Sequence, residues 1–366
     1  MPLPLSLVIF FVAAGLAAAF TPLVRKLALR TGLLDHPGER KAQNEAIPYL
    51  GGLAVFAAFA LVTVGGLTLL LTDVGAGVLG SLGFEDLNQQ SVLARGRAPE
   101  LTGYFLGALV CVGTGLLDDI YGARFPARLK LLAQFVAAIL AVAGGVHTTA
   151  FGDPTLNFVI SVIWIVAITN ALNFVDNMDG LAGGLVIISG LILWAVALQQ
   201  GQLFMQMILL AFVGAAAGFL PFNFHPASIY LGDTGSLFLG FTMGVLTTLE
   251  SYVTQESSTL IPIVLPVIVL SVPVFDMVSV IVIRLREGRP IYIGDRSHLS
   301  HRLVALGMHP RTAVLFLYLL AAGLGFAALP LPRMGLLESI YIVMGWVLMI
   351  IAVTILMIVG RRDRGS

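Results

Sequence analysis

Asp176 and Asp179, with Asn170, Asn173 and Asn177, crowd into TNALNFVDNMDGLAGG (169–184), between apolar segments of a chain that is 58% hydrophobic and 11% charged. An ionisable group at membrane depth costs several kcal/mol unless it is paired, hydrated or metal-bound, so such a cluster points to chemistry. The two aspartates stand three apart and face one way on a helical turn. Gly180, Gly183 and Gly184 allow close backbone approach, to a ligand or simply to a packed neighbour. Four other segments carry residues of similar promise: Asp118 and Asp119 before Lys130; Asn223 and Asp233 in FNFHPASIYLGDTGS; His298, His301 and Arg302 in GDRSHLSHRL; and Arg40 and Lys41 in the first polar loop.

Adjacent carboxylates such as Asp118 and Asp119 repel, and a divalent cation or a lysine between them relieves the repulsion. Mg²⁺ suits this set, because it takes oxygen ligands, keeps several waters and bridges to substrate phosphates. His298 and His301 are spaced to hold a metal or a diphosphate; their neighbours Arg296 and Arg302 repel a cation and attract phosphate, which disfavours zinc. Each feature alone has a plainer explanation. The Asp pair is also what an acidic helix end meeting water looks like, although it opposes the helix dipole. Asp233 is placed to cap the helix that follows it. The histidines fit a solvated basic loop, and Asp276 fits a structural pair with a neighbouring helix. Taken together, carboxylate, amide, imidazole and cation from five segments argue for one site at a membrane surface.

The elements that must position these residues are membrane helices. With a mean hydropathy of +0.97, apolar runs long enough to cross a ~30 Å hydrocarbon core recur throughout. Eleven are read, at 3–24, 50–71, 101–117, 131–147, 156–173, 181–198, 203–221, 236–249, 260–283, 313–331 and 339–359. Seventeen of the twenty Lys and Arg fall in alternate loops at 25–49, 118–130 and 284–312 and in the tail after 360; only Arg95, Arg97 and Arg333 fall elsewhere. Cytoplasmic loops retain Lys and Arg, which places the amino terminus outside and the carboxyl terminus in the cytoplasm. The first run has no basic residue before it and no small-residue cleavage pattern after it, so it reads as a retained helix. Cys111, the lone cysteine, sits inside the third run, which excludes disulfides and cysteine-rich metal sites. The expectation is an all-α polytopic protein, residues 1–366 forming a single integral-membrane domain, with its longest external loop at 72–100.

The strings DHPGERKAQNEAIPYLGG (35–52), GLLDDIYGARFPARLKLLAQ (115–134), NALNFVDNMDGLAGG (170–184), FNFHPASIYLGDTGSLFLG (222–240) and GDRSHLSHRL (294–303) resemble, in order, the motifs of the polyprenyl-phosphate N-acetylhexosamine-1-phosphate transferases. The resemblance covers nearly the whole chain. It implies transfer of a sugar 1-phosphate from a UDP-sugar to an undecaprenyl-type phosphate at the cytoplasmic side of a bacterial inner membrane, with release of UMP. It further implies that Asp118 and Asp119 are the catalytic pair, with Asp233, helped by Asp118, as ligand of Mg²⁺, for which Mn²⁺ can substitute. Lys41 and Lys130 match phosphate-region lysines, and Asn173, Asp176 and Asp179 match the nucleotide loop. Asn223, Tyr230, His298, His301 and Arg302 complete the implied substrate contacts, Tyr230 as a stacking partner for uracil. No nucleic acid is expected among the partners, and a homodimer is compatible with the pattern.

Two departures stand out. Gln43 replaces a histidine common two residues after the loop lysine, and Ser300 replaces an imidazole in a His-x-His-His pattern, which puts sugar choice in question. Within the family, HLSH and a short final loop look more like the N-acetylglucosamine branch than the phospho-N-acetylmuramoyl-pentapeptide transferases. A secondary transporter would place its polar residues near the bilayer midplane, and a scaffold gives no reason for carboxylates in separate loops to converge.

Overall fold

The computed structural model describes residues 3–35, 46–72, 75, 77, 80, 95–253, 257, 260–291 and 297–362; Lys41, with Arg40 and Gln43, lies outside them. The helices are α1 (Leu3–Thr31), α2 (Gly51–Leu71), α3 (Ala98–Tyr121), α4 (Ala127–Ala143), α5 (Pro154–Val175), α6 (Leu181–Gln199), α7 (Leu203–Asn223), α8 (Gly232–Leu249), α9 (Leu265–Val269), α10 (Ser271–Arg286), α11 (Leu299–Ala305), α12 (Pro310–Ala328) and α13 (Leu336–Arg362). Before α2, β1 (Leu34–Asp35) pairs antiparallel with β2 (Ile47–Pro48). Local sequence starts several of these helices: Asp153 accepts a hydrogen bond from Leu156 N at 2.7 Å ahead of Pro154, and His309 precedes Pro310, the fixed φ of proline suiting a first helical turn.

Every one of the eleven apolar runs forms helix, and the chain is an all-α, multi-pass membrane protein. Among the described residues, α1, α2, α3, α5, α6, α7, α12 and α13 are each long and apolar enough to cross a bilayer. The 17-residue α4 and the polar-started α8 fall short of that measure. The run 260–283 is not one straight span: α9 and α10 meet at a 76° bend. Pro273 explains it, since its ring excludes the helical bond to the Val269 carbonyl. That carbonyl instead accepts from Ser189 Oγ of α6 at 3.2 Å, which keeps the opened backbone satisfied in an apolar setting.

Helix α8 is the axis of the bundle, packed against α2, α3 and α5. All its residues are buried except Asp233 and Leu249. Such enclosure needs small residues where backbones touch: a Cβ on Gly240 would come within 2.7 Å of Thr169 Cα, and one on Gly235 within 2.7 Å of Gly52 Cα. Peripheral α13, with only 11% of its span buried, shows its Leu, Ile and Met side chains outward, as a lipid-facing helix should. The described residues of the turns after α1, α3, α5, α7 and α10 gather at one end of this bundle, linked by Tyr230 N to Pro48 O, His225 to Asp179 and Ser300 to Asn177, with Lys130 reaching Asp233.

Candidate active site

The amino-terminal end of α8 organises the site. Lys130 Nζ at the start of α4 donates to Asp118 Oδ2 at 2.7 Å and to Asp233 Oδ1 at 2.8 Å, so one ammonium bridges carboxylates 115 positions apart. Asn173 Nδ2, near the end of α5, donates to the same Asp233 oxygen at 2.5 Å and to Ser236 Oγ at 2.8 Å. Asp119 points elsewhere. Its Oδ1 accepts from Asp233 N at 2.8 Å, and its Oδ2 accepts from Thr234 N at 3.0 Å and Thr234 Oγ1 at 2.6 Å. The capping role that sequence allows for Asp233 therefore belongs to Asp119, supplied from α3 to the positive end of α8. That leaves the Asp233 side chain facing the lysine and asparagine.

Close packing holds this geometry. Gly232 sits at φ +73°, and a Cβ there would lie 2.6 Å from Asp119 Oδ2; a Cβ on Gly115 would lie 2.3 Å from the Asp233 carbonyl. The segment before α2 is laced to the same turn: Tyr230 N donates to Pro48 O at 2.8 Å, Gly51 N to Tyr230 O at 2.9 Å and Gly52 N to Leu231 O at 2.8 Å. The Tyr49 and Tyr230 rings lie 6.1 Å apart at this seam. Burial pushes the Tyr230 hydroxyl up to about 12, and the carboxylates of Asp179 and Asp176 push the same way. Tyr49 is likewise raised by burial, then by Asp119 and Asp233. Its place beside these carboxylates is one that sequence reading missed, although PYLGG next to a polar loop marked the spot.

Asp176 ends α5 as its carboxyl-terminal cap residue. Burial holds its carboxyl well above the usual range, with the charges of Asp233, Asp119 and Asp179 adding and Lys130 opposing. Five aspartates, Asp118, Asp119, Asp176, Asp179 and Asp233, thus share one region, and a cation would relieve them. Among the described residues no three His, Cys, Asp or Glu side chains form a ready metal cage. The donors that face inward are one or two carboxylates, the number magnesium takes when phosphates supply further ligands.

Asp179 and Asn223 anchor backbone. Asp179 Oδ2 accepts from His225 Nδ1 at 2.7 Å and from Ala227 N at 3.1 Å, fixing the turn between α7 and α8. Asn223, 3% exposed, accepts from Gly180 N and donates to Ile229 O, both at 3.1 Å. Asn223→Ala is therefore expected to cost about 2 kcal/mol by leaving two backbone groups unpaired. Thermal unfolding in detergent should show that loss with the Michaelis constant for donor unchanged; unaltered stability with a raised constant would make Asn223 a substrate contact.

The histidine segment docks separately. His298 Nδ1 pairs with Asp276 Oδ2 at 2.7 Å, Leu299 N donates to Asp276 Oδ1 at 2.5 Å, and Asp276 is 2% exposed. Asp276 is thus a structural partner that starts α11. Arg302 Nη2 donates to Ser279 Oγ at 2.6 Å. The His298 ring packs edge-on to Phe174 at 5.8 Å and lies 6.4 Å from His301. Ser300 Oγ donates to Asn177 Oδ1 at 2.5 Å. These contacts bring α11 beside the Asp176–Asp179 turn, while His298 and Arg302 bond to Asp276 and Ser279 of α10.

Residues 101–250 match the family model described as glycosyl transferase family 4. The chain is 34% identical over 345 residues to a probable undecaprenyl-phosphate N-acetylglucosaminyl 1-phosphate transferase of Bacillus subtilis (strain 168), covering 92% of this chain and 87% of that protein. It is 33% identical over 349 residues to decaprenyl-phosphate N-acetylglucosaminephosphotransferase of Mycobacterium tuberculosis (strain CDC 1551 / Oshkosh), covering 86% and 80%. An undecaprenyl-phosphate alpha-N-acetylglucosaminyl 1-phosphate transferase of Yersinia pestis is 28% identical over 316 residues, covering 83% and 78%. Since these likenesses run through the segments that build the site, the chain belongs to the polyprenyl-phosphate N-acetylhexosamine-1-phosphate transferases of glycosyl transferase family 4.

Proposed function

We propose that this protein transfers N-acetylglucosamine 1-phosphate from UDP-N-acetylglucosamine to undecaprenyl phosphate at the cytoplasmic face of a bacterial inner membrane, releasing UMP. The observation that carries the reading is the convergence of Asp118, Lys130, Asn173 and Asp233 at one end of a membrane bundle. The family, and relatives that are polyprenyl-phosphate N-acetylglucosaminyl 1-phosphate transferases, support this class of substrate. In this reading the eleven runs cross the bilayer with the amino terminus outside, and the lipid head meets a cytosolic nucleotide at the inner surface.

An oxygen of the lipid phosphate attacks the β-phosphorus of the donor. The bond from that phosphorus to the oxygen shared with the α-phosphate breaks, and UMP leaves with that oxygen. Phosphoryl transfer of this kind depends mainly on positioning two anions and neutralising the charge that builds on the bridging oxygens. Lys130 is placed to steady a phosphate once substrate draws it from a carboxylate, and Asn173 holds Asp233 in one orientation. Asp118 is the better placed of the acidic pair to take a proton from the lipid phosphate, because both oxygens of Asp119 already accept donors. That step is small, since a phosphate monoester with second pKa about 6 is mostly dianionic at neutral pH. Asp233 and Asp118 would hold Mg²⁺, or Mn²⁺ in its place. When bound, the ion would polarise the donor diphosphate and stabilise the leaving UMP.

Purified protein supplied with undecaprenyl phosphate, Mg²⁺ and radiolabelled UDP-N-acetylglucosamine is expected to form a labelled lipid and release UMP in equal amount. A panel of UDP-sugars that includes the muramoyl-pentapeptide donor tests sugar choice. No lipid-linked label from any donor would overturn the reading.

A further inference from the structure

Ser300 stands where a third imidazole would be expected, and the structure gives it a partner. It is 2% exposed, and its hydroxyl donates to the Asn177 carboxamide oxygen across 123 residues of sequence. Asn177 is itself held, its Nδ2 donating to Phe174 O at 2.7 Å. Asn177 lies between Asp176 and Asp179 in the acidic turn, whereas Ser300 lies between His298 and His301. At its other attachment α11 is fastened to Asp276 of α10 through His298 and Leu299 N. The histidine segment is therefore pinned at two points, one on the bent helix and one on the acidic turn.

We infer that Ser300 is a positioning residue for the donor substrate: its bond to Asn177 sets the spacing between His301 and the acidic turn, so that both can close on one diphospho-sugar. This rests on the proposed UDP-sugar reaction. A histidine at 300 does not restore a lost contact, because an imidazole must enter a buried space that the Asn177 carboxamide fills, and forced overpacking displaces its neighbours. Threonine keeps the hydroxyl and adds one methyl group.

The test uses the full chain in nanodiscs with undecaprenyl phosphate and Mg²⁺. For Ser300→Ala the Michaelis constant for UDP-N-acetylglucosamine is expected to rise about five- to tenfold with kcat nearly unchanged, beside a modest fall in unfolding temperature because the Asn177 carboxamide oxygen loses its donor. UDP affinity measured by calorimetry in the presence of Mg²⁺ should weaken by a similar factor. Ser300→Thr should recover most of the loss. The double variant Ser300→Ala, Asn177→Ala should be no worse than Asn177→Ala alone, as expected for two ends of one bond. Ser300→His should weaken donor use. An unchanged Michaelis constant in Ser300→Ala, multiplying effects in the double variant, or improved turnover in Ser300→His each overturns the inference. Wild-type protein that turns over no UDP-sugar, yet binds UDP more weakly after Ser300→Ala, would overturn the proposed reaction and keep the link. Wild-type protein that neither turns over nor binds UDP overturns both.

Discussion

Asp233→Asn is expected to lower turnover about a thousandfold while leaving a folded, detergent-stable protein. The buried residues of α8 pack without help from the Asp233 side chain, one of two in the helix left unburied. The substituted side chain keeps an oxygen for Lys130 and Asn173, and Lys130 retains Asp118. What disappears is the negative charge that the proposed Mg²⁺ and the donor diphosphate require, and removing one group aimed at developing charge typically costs about 10²–10³ in rate. Steady-state assay together with thermal unfolding decides this. Retained turnover overturns the assignment, and loss of folding together with activity would assign Asp233 a structural role.

The second large effect separates neighbours that look alike in sequence. Asp119→Ala is expected to destabilise the protein by about 3–5 kcal/mol, because three donors at the start of α8 lose a charged acceptor at once, and hydrogen bonds to charged groups contribute about 1.5–3 each without strict additivity. Asp119→Asn should fare little better, since its new NH₂ would face an N–H. Asp118→Asn is expected to keep the wild-type unfolding temperature and lose activity. The contrast is read from folded yield and unfolding temperature of the three variants side by side. A stable Asp119→Ala with wild-type unfolding would show that α8 is not capped from α3.

Much of this architecture is legible in the sequence. Each of the eleven apolar runs forms helix, and Pro273 inside one of them explains the bend that the run itself conceals. Lys130 meeting Asp118 follows from a short turn, since antiparallel helices joined by a few residues bring their adjacent ends together. The direction of Asp119 was hidden. Consecutive helical residues point about 100° apart, and only the approach of α8 decides which carboxylate becomes the cap. Asn223 read as a substrate contact because a polar residue in a motif carries no mark of facing backbone. Ser300 read as a missing imidazole for the same reason: its partner lies in another segment, and long-range pairing leaves no local pattern.

In the proposed reaction Asp233 would anchor a divalent ion together with the donor diphosphate. Electron paramagnetic resonance of Mn²⁺ titrated into the protein in the presence of UDP tests it most directly, independent of turnover. A bound Mn²⁺ signal is expected in wild-type protein, strengthening with UDP and lost in Asp233→Asn. An equally strong UDP-dependent signal in Asp233→Asn would contradict it.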